Sequence, residues 1–219
     1  MAKTYTWEEI KSLINKELKK TKHILTYGTI GSCNIEHDID TIITKKSTSS
    51  TADFYREVHL LFGELNNYLK KKHNAKLICF TSAEEEAIIL ADGKPNDLLI
   101  QSMIYTSFNQ IKGHWLPYMF ENESLITLLK LEYKTLLGDS KNLFSKNFSQ
   151  KLKMDPILLY LAEYCNKINS NYSEKNLLRI MNFEFEYILR KRLGLESMKA
   201  RNEKEVREVF YRICDILDG

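Results

Sequence analysis

Residues 27–43 of the chain read YGTIGSCNIEHDIDTII, a run that combines strand-forming residues, a glycine turn and an acidic pair. The residues that lead into it, 23–27, are rich in β-forming side chains, and Ile39 to Thr44 has the composition of a second strand. Asp38 and Asp40 are two residues apart, so both carboxylates project from the same face of that strand. The run therefore predicts two strands joined by a turn, with an acidic pair at the start of the second.

The acidic pair and the small residues before it indicate a site for a metal ion and a phosphate group. Two carboxylates held this close repel each other unless a cation lies between them, and Mg²⁺ (or Mn²⁺) prefers such oxygen ligands and keeps positions open for substrate phosphates. Gly28, Thr29, Gly31 and Ser32 break the first strand and expose backbone amides that can bind a phosphate. We therefore expect a phosphate-binding turn followed by a metal-binding pair.

The order of predicted elements indicates an α/β (α+β) fold. A capping box at Thr6 and Glu9 opens a helix before the first strand, and further strands are predicted over residues 76–81, 87–90 and 98–106. The strand pattern ceases near residue 115, after which helices are predicted over 125–137, 156–168, from 173 and over 203–217. We expect a small mixed β-sheet domain flanked by helices over residues 1–115, followed by an all-α domain over residues 116–219.

The composition of the 219-residue chain excludes several classes of protein. Apolar residues make up 43% and charged residues 28%, with three prolines and eight glycines, which excludes collagen-like, low-complexity and wholly disordered chains. The longest apolar runs are far shorter than the roughly 20 residues that cross a bilayer, so we expect no membrane partner. The N-terminus carries no secretion signal, and we expect a cytoplasmic protein.

The cysteines and the basic residues bear on possible ligands and partners. Cys33, Cys79, Cys165 and Cys214 lie far apart without a CxxC pair, so we expect buried thiols rather than a zinc site or disulfides. The net charge is +3, and lysines and arginines gather in short groups such as Lys70–Lys72. Several such groups are compatible with RNA or DNA as a partner.

The run YGTIGSCNIEHDIDTII resembles the signature of the nucleotidyltransferase superfamily, which includes DNA polymerase β, poly(A) polymerases, CCA-adding enzymes and small antibiotic nucleotidyltransferases. That signature is a hydrophobic residue, Gly, a Gly or Ser, a short spacer, then Asp-hydrophobic-Asp-hydrophobic. With Gly28 and Thr29 as the small pair, the spacer to Asp38 has eight residues, which suits the family. With Gly31 and Ser32 the residue types match better, but the spacer has five residues. We favour Gly28 and Thr29, and we place Gly31 and Ser32 in the following turn.

The resemblance implies a fold, an activity and roles for these residues. The family's order of helices and strands matches the order predicted for the first half of this chain. The family often has a helical domain after the catalytic sheet, as predicted here. The implied activity is transfer of a nucleoside monophosphate from an NTP to an acceptor hydroxyl on an RNA or DNA end, a protein or a small molecule. Asp38 and Asp40 would bind Mg²⁺ or Mn²⁺, and Gly28 and Thr29 would hold the triphosphate.

Active members of this family also carry a third carboxylate on a later strand, beside the aspartate pair. The matching strand, Leu98–Tyr105, contains no acid and has Gln101 near the expected position. Asp97, at the start of this strand, is our candidate for a third catalytic residue, and Glu84–Glu86 are more distant candidates. Without a third acid, the chain would be a degenerate relative that binds nucleotide, nucleic acid or a partner protein. A chance motif on an unrelated α+β protein is the remaining alternative.

Overall fold

The computed structural model describes residues 3–80, 94–106, 133–139, 156–169, 174–187, 193–196 and 199–219. Its helices are α1 (Trp7–Leu18), α2 (Thr51–His73), α3 (Pro156–Asn169), α4 (Glu174–Tyr187) and α5 (Glu203–Asp218). Its strands are β1 (Ile24–Ile30), β2 (Asp38–Lys45), β3 (Leu77–Phe80), β4 (Leu98–Tyr105) and β5 (Lys134–Leu137). The predicted α+β fold is confirmed, and none of these helices is long and apolar enough to cross a bilayer.

The five strands form one mixed sheet in the order β3-β4-β2-β1-β5. β1 and β2 form an antiparallel hairpin in which Ile30 pairs with Asp40. β4 lies parallel to β2 on its other side and places Gln101 opposite Asp40. Because parallel strands cannot be joined by a tight turn, α2 lies in the crossover that leads from β2 to the β3–β4 side of the sheet. β2 is therefore the central strand, with a partner along each side.

β5 contradicts one sequence prediction. The apolar spacing predicts a helix over 125–137, and this is wrong for residues 134–137, which form a strand antiparallel to β1. Backbone hydrogen bonds along the edge of β1 outweigh the local helix preference, with Leu137 opposite Tyr27. Gly138 follows the strand with φ +77°, a conformation that favours glycine. The predicted strand at 87–90 and the predicted boundary at residues 115 and 116 lie outside the described residues.

The alternation of side chains divides the sheet into two faces. One face packs against α2 and α3 and supplies the apolar core with Tyr27, Ile39, Ile43, Leu77, Ile100 and Ile104. The register places Gly28, Asp38, Asp40 and Gln101 on the opposite face. Apolar residues on that second face, Ile42, Phe80 and Tyr105, are buried but do not belong to the main core cluster.

Helix α2 packs against α5, the last helix of the chain. Phe210 of α5 meets Tyr55 of α2 edge-on, with ring centroids 5.1 Å apart. The carboxylate of Asp218 accepts hydrogen bonds from the backbone N–H and the hydroxyl of Thr51, in the first turn of α2. An acidic group at this end of a helix also interacts favourably with the helix dipole. The last helix of the chain is therefore part of the same core as the sheet.

His59 is buried between α2 and α5, with its Nδ1 2.5 Å from the hydroxyl of Tyr211. Burial, together with the nearby Arg207 guanidinium, lowers the pKa of His59 from 6.5 to about 3. The imidazole is therefore neutral in the folded protein at pH 5 to 7, while in the unfolded chain it takes up a proton over the same range.

We expect this difference in pKa to make the protein less stable in mild acid. The unfolded chain binds a proton that the folded protein does not, so the free energy of unfolding falls by about 2 kcal/mol between pH 7 and pH 5. Urea denaturation at the two pH values measures it. His59→Phe removes this contribution and therefore gives a flatter dependence of stability on pH than wild type. An unchanged pH slope in His59→Phe would contradict the assignment.

Gly28 is a position in β1 where a side chain does not fit, because an added Cβ would overlap the ring of Tyr133. We expect Gly28→Ala to lower the free energy of unfolding by about 1–3 kcal/mol through overpacking. Gly63→Ala in α2 is the matched control. Outside its own helix, its Cβ meets no atom of the described residues within 4 Å, and we expect it to stabilise the helix by about 0.5–1 kcal/mol. Thermal denaturation compares the two, and equal effects would contradict the close packing of Tyr133 on Gly28.

Candidate functional site

Asp38 and Asp40 lie on the same face of β2, and both are partly exposed. β2 begins at Asp38, and the intervening residue, Ile39, points into the core. Asp40 is flanked across the sheet by Ile30 on β1 and Gln101 on β4. Neighbouring strands are about 4.8 Å apart, so the side chains of Asp40 and Gln101 project side by side. The structure therefore brings the two predicted metal ligands and Gln101 to one patch of the sheet.

Gln101 lies where a third carboxylate would complete this patch. It is in register with Asp40 on the adjacent parallel strand, and its side chain is partly exposed. A glutamine amide supplies one neutral oxygen acceptor and two N–H donors, and it cannot take up a proton as a general base. The patch can therefore bind a cation or donate a hydrogen bond to a ligand, but Gln101 cannot activate a hydroxyl.

Asp97, the predicted third catalytic residue, makes structural hydrogen bonds in the loop before β4. Its two carboxylate oxygens accept the backbone N–H groups of Lys76 at 2.9 Å and Lys94 at 3.1 Å, and the residue is only 4% exposed. Among the described residues, no three His, Cys, Asp or Glu side chains form a group that could hold a metal ion. The structure therefore does not gather Asp97 with the aspartate pair into a three-carboxylate site.

The N-terminal segment ties this loop to the rest of the protein. Lys3 Nζ donates to the carbonyl of Asp97, and the hydroxyl of Tyr5 donates to the carbonyl of Asn96 at 2.8 Å. Burial lowers the pKa of Lys3, and the carboxylates of Glu36 and Asp97 oppose this effect. Lys3 therefore lies between the β1–β2 turn and the loop before β4, at the amino end of β2.

The four small residues of the predicted phosphate site are in two different settings. Gly28 and Thr29 lie inside β1, and Thr29 is 1% exposed on the core face, away from Asp40. Gly31 and Ser32 lie in the turn between the strands, where Gly31 has φ +76° and Ser32 is exposed. The backbone amides of this turn are thus the ones that lead directly into Asp38. The structure brings Gly31 and Ser32, rather than the hydroxyl of Thr29, to the acidic patch.

Two residues near this patch, Tyr133 and Lys134, were not predicted from the sequence. Lys134 begins β5, and Tyr133 is the residue before it. Tyr133 packs on Gly28, and Lys134 Nζ donates to the carbonyl of Gly31 at 3.3 Å. Lys134 thereby places a positive charge beside the turn. The short run that precedes Gly138 and Asp139 ends in a turn pattern, which is the one local indication of a strand end here.

The thiols of Cys79, Cys165 and Cys214 do not contribute to the site. All four are free and buried, as the sequence predicts. Burial raises the pKa of the Cys79, Cys165 and Cys214 thiols, so these remain protonated near neutral pH. A buried, protonated thiol is a poor nucleophile and a poor metal ligand. Thiol chemistry is therefore not available at these three positions.

Two surface cavities lie in the helical layer rather than at the acidic patch. One, of about 460 Å³, is lined by residues of α2 and α5 that include Arg56 and Arg207. These arginines donate to Asp53 and Glu203, so their charge is already compensated. The other cavity, of about 290 Å³, lies between α1 and α2. None of the predicted site residues lines either cavity.

We expect Asp97→Asn to destabilise the protein, because an amide NH₂ cannot replace a carboxylate oxygen that accepts a backbone N–H. Leaving one buried N–H unpaired lowers the free energy of unfolding by about 1–3 kcal/mol. Urea denaturation measures this loss. Asp38→Asn is the matched control, with an expected change of about 0.5 kcal/mol or less. Equal stability of Asp97→Asn and wild type would contradict the structural role.

Comparison with known proteins adds no relative. No family model, no curated protein and no solved structure compared with this chain matches it. The function of the acidic patch is therefore argued from its own residues, their register in the sheet and the resemblance carried by residues 27–43.

Proposed function

We propose that this chain is a metal-dependent nucleotidyltransferase, which moves a nucleoside monophosphate from an NTP to an acceptor hydroxyl. The observation that carries the proposal is the position of Asp38 and Asp40 on one face of β2, directly after the turn that contains Gly31 and Ser32. The hairpin thus presents small residues and then an acidic pair, in the order that the resemblance to the family requires.

The donor atoms of the patch suit Mg²⁺ or Mn²⁺. The carboxylates of Asp38 and Asp40 and the amide of Gln101 offer hard oxygen atoms, which these ions prefer. The ion, when bound, supplies charge neutralisation and polarisation of the phosphoryl group. In the proposal, Asp38 and Asp40 hold the ion, and Gln101 contributes a neutral oxygen or donates a hydrogen bond to the nucleotide.

The turn before β2 supports a role in binding the triphosphate. Gly31 and Cys33 both have positive φ, 76° and 52°, a backbone form that directs neighbouring amides to one side. Within the described parts of the chain, and apart from the residues next to Gly31, no atom lies within 4 Å of where its Cβ would be, which leaves room for a phosphate beside the backbone. Lys134 adds a positive charge beside this turn. Gly31 and Ser32 are therefore our proposed triphosphate contacts.

The acceptor is an RNA or DNA end, a protein or a small molecule, and the described basic residues do not select among these. Lys70–Lys72 lie in the last turn of α2, where cations interact favourably with the helix dipole. Lys72 also lies over the ring of Tyr68, at 5.1 Å from its centroid. This group therefore has a structural role.

We also place the chain in the cytoplasm, because its four cysteines are free thiols.

A second candidate function, nucleotide binding without transfer, is favoured by a specific observation. Gln101 lies beside Asp40, and both carboxylate oxygens of Asp97 are bound by backbone amides. The described patch thus has two carboxylates and lacks a group that could deprotonate an acceptor hydroxyl. A protein of this kind would bind a metal-nucleotide complex and act through that bound state.

An experiment with labelled nucleotides separates the two candidates. Purified protein is incubated with Mg²⁺ or Mn²⁺, each of the four labelled NTPs and bulk RNA, and label transfer and nucleotide binding are both measured. In Asp38→Asn and Asp40→Asn, transfer and nucleotide binding should both fall by more than the roughly 10–100-fold that follows from changing a group that only orients a metal ligand. Asp215→Asn, the same chemical change at an exposed position of α5, should leave both unchanged.

Three outcomes are informative. Transfer that Asp38→Asn abolishes supports the enzyme. Metal-dependent nucleotide binding without transfer to RNA, or to cell protein and small molecules added in its place, supports the second candidate. Gln101→Asp should then give transfer to one of these acceptors, since it adds the missing carboxylate beside Asp40. Absence of metal-dependent nucleotide binding in the wild-type protein would contradict both candidates.

A further inference from the structure

Asn166 of α3 reaches from the helical layer into the sheet. Its Nδ2 donates to the carbonyl oxygen of Ser102 at 2.8 Å and to that of Phe80 at 3.4 Å. The residue is 1% exposed, and α3 packs directly against β3 and β4. A side chain from the last third of the chain is therefore hydrogen-bonded to the backbone of the strand that carries Gln101.

This contact extends the hydrogen-bond ladder of the sheet. The last described pair of the β3–β4 ladder is Phe80 with Gln101, and Ser102 lies one residue beyond it. In a parallel ladder, a strand carbonyl at this point would accept the next backbone N–H of the neighbouring strand. At this point the amide of Asn166 donates to one carbonyl of each strand.

A second side chain holds the same part of β4 from the opposite strand. The hydroxyl of Thr41 on β2 donates to the carbonyl of Gln101 at 3.4 Å. Thr41 and Asn166 therefore fix two consecutive carbonyls of β4, one from each side. The Gln101 side chain projects from the other face of the strand, beside Asp40.

Packing alone does not account for the amide at this position. Within the part of the chain that the structure describes, Asn166 Oδ1 and the hydroxyl of Ser102 are buried without a hydrogen-bond partner. A buried polar atom without a partner is destabilising, and a leucine of similar size would remove the unpaired Oδ1 but would also take the Asn166 donor from the carbonyls of Ser102 and Phe80. Proteins keep such destabilising buried polar atoms mainly at functional sites.

We propose that Asn166 is a positioning residue, which holds β4 so that the Gln101 side chain stays beside Asp40 at the acidic patch. The expected effect on metal binding rests on the proposed function. The position of the Gln101 side chain beside Asp40 can be tested without it. In this arrangement α3 supports the patch from behind the sheet. Loss of the Asn166 amide frees the carbonyl of Ser102 and lets the Gln101 side chain move away from Asp40.

The test uses Asn166→Leu in the full-length protein, with Asn169→Leu as the matched control. Asn169 lies one turn further along α3, is 9% exposed and donates to the sulfur of Cys165 in its own helix. A second variant, Thr41→Val, removes the other hydrogen bond, and Thr26→Val is its control, since it removes a buried hydrogen bond to Thr44 elsewhere between β1 and β2. Circular dichroism and thermal melts establish that each variant is folded before any comparison.

Two readouts separate positioning from general stability. The first is the position of the Gln101 side-chain NH₂ signal in a ¹H–¹⁵N spectrum, assigned by its disappearance in Gln101→Asp. The second is Mn²⁺ affinity, measured from the electron paramagnetic resonance of the free ion. We expect Asn166→Leu and Thr41→Val to move the Gln101 signal and to weaken Mn²⁺ binding by about 10-fold, as for other groups that orient metal ligands. The two controls should change neither.

The outcomes distinguish this inference from the proposed function. A Gln101 signal that stays in place in folded Asn166→Leu and Thr41→Val would overturn the positioning role. If the wild-type protein binds no Mn²⁺, the proposed function fails, and the Gln101 signal alone then decides whether Asn166 positions β4. If Asn166→Leu does not fold, the decision rests on Thr41→Val. In that variant a methyl group replaces a hydroxyl of similar size, so the packing stays intact.

Discussion

The pairing of β2 with a neighbouring strand along each side is the constraint on which the rest of the structure depends. Because side chains alternate, a shift of one residue would turn Asp38 and Asp40 into the apolar core and expose Ile39. Moving two carboxylates into such a core is strongly unfavourable, so this register is well defined. The same register places Ile30 and Gln101 on either side of Asp40. The acidic patch is therefore a direct consequence of how the central strand pairs.

The helices stabilise this sheet from one side and connect distant parts of the chain. α2 follows β2 and packs against α5, and the Asp218 carboxylate binds the first turn of α2. α3 packs on β3 and β4, where the Asn166 amide bonds two strand carbonyls. One apolar core thus includes residues from both halves of the chain. The acidic patch lies on the other face, so its chemistry is separated from the packing that supports it.

Local patterns predicted the elements that form next to one another in sequence. The helix start at Thr6, whose side chain accepts the N–H of Glu9, and the strands on both sides of the 31–37 turn agree with the structure, whereas the Glu9 carboxylate accepts from the hydroxyl of Tyr68. The helix expected over 125–137 failed at residues 134–137, because pairing with the edge of β1 outweighs a weak local preference. Asp97 looked available in the sequence, but two backbone amides from other segments bind its carboxylate. Tyr133 and Lys134 were missed because their strand pairs with a segment more than a hundred residues earlier.

The sequence by itself determined the hairpin, the shared face of Asp38 and Asp40 and the burial of the cysteines, since each of these follows from spacing, alternation or hydrophobicity within a few residues. Only the tertiary structure decided that Thr29 faces the core and that Gln101 pairs in register with Asp40. These features depend on which strands pair and in what register. Strand pairing is a free-energy balance between distant segments, which no local pattern of residues encodes.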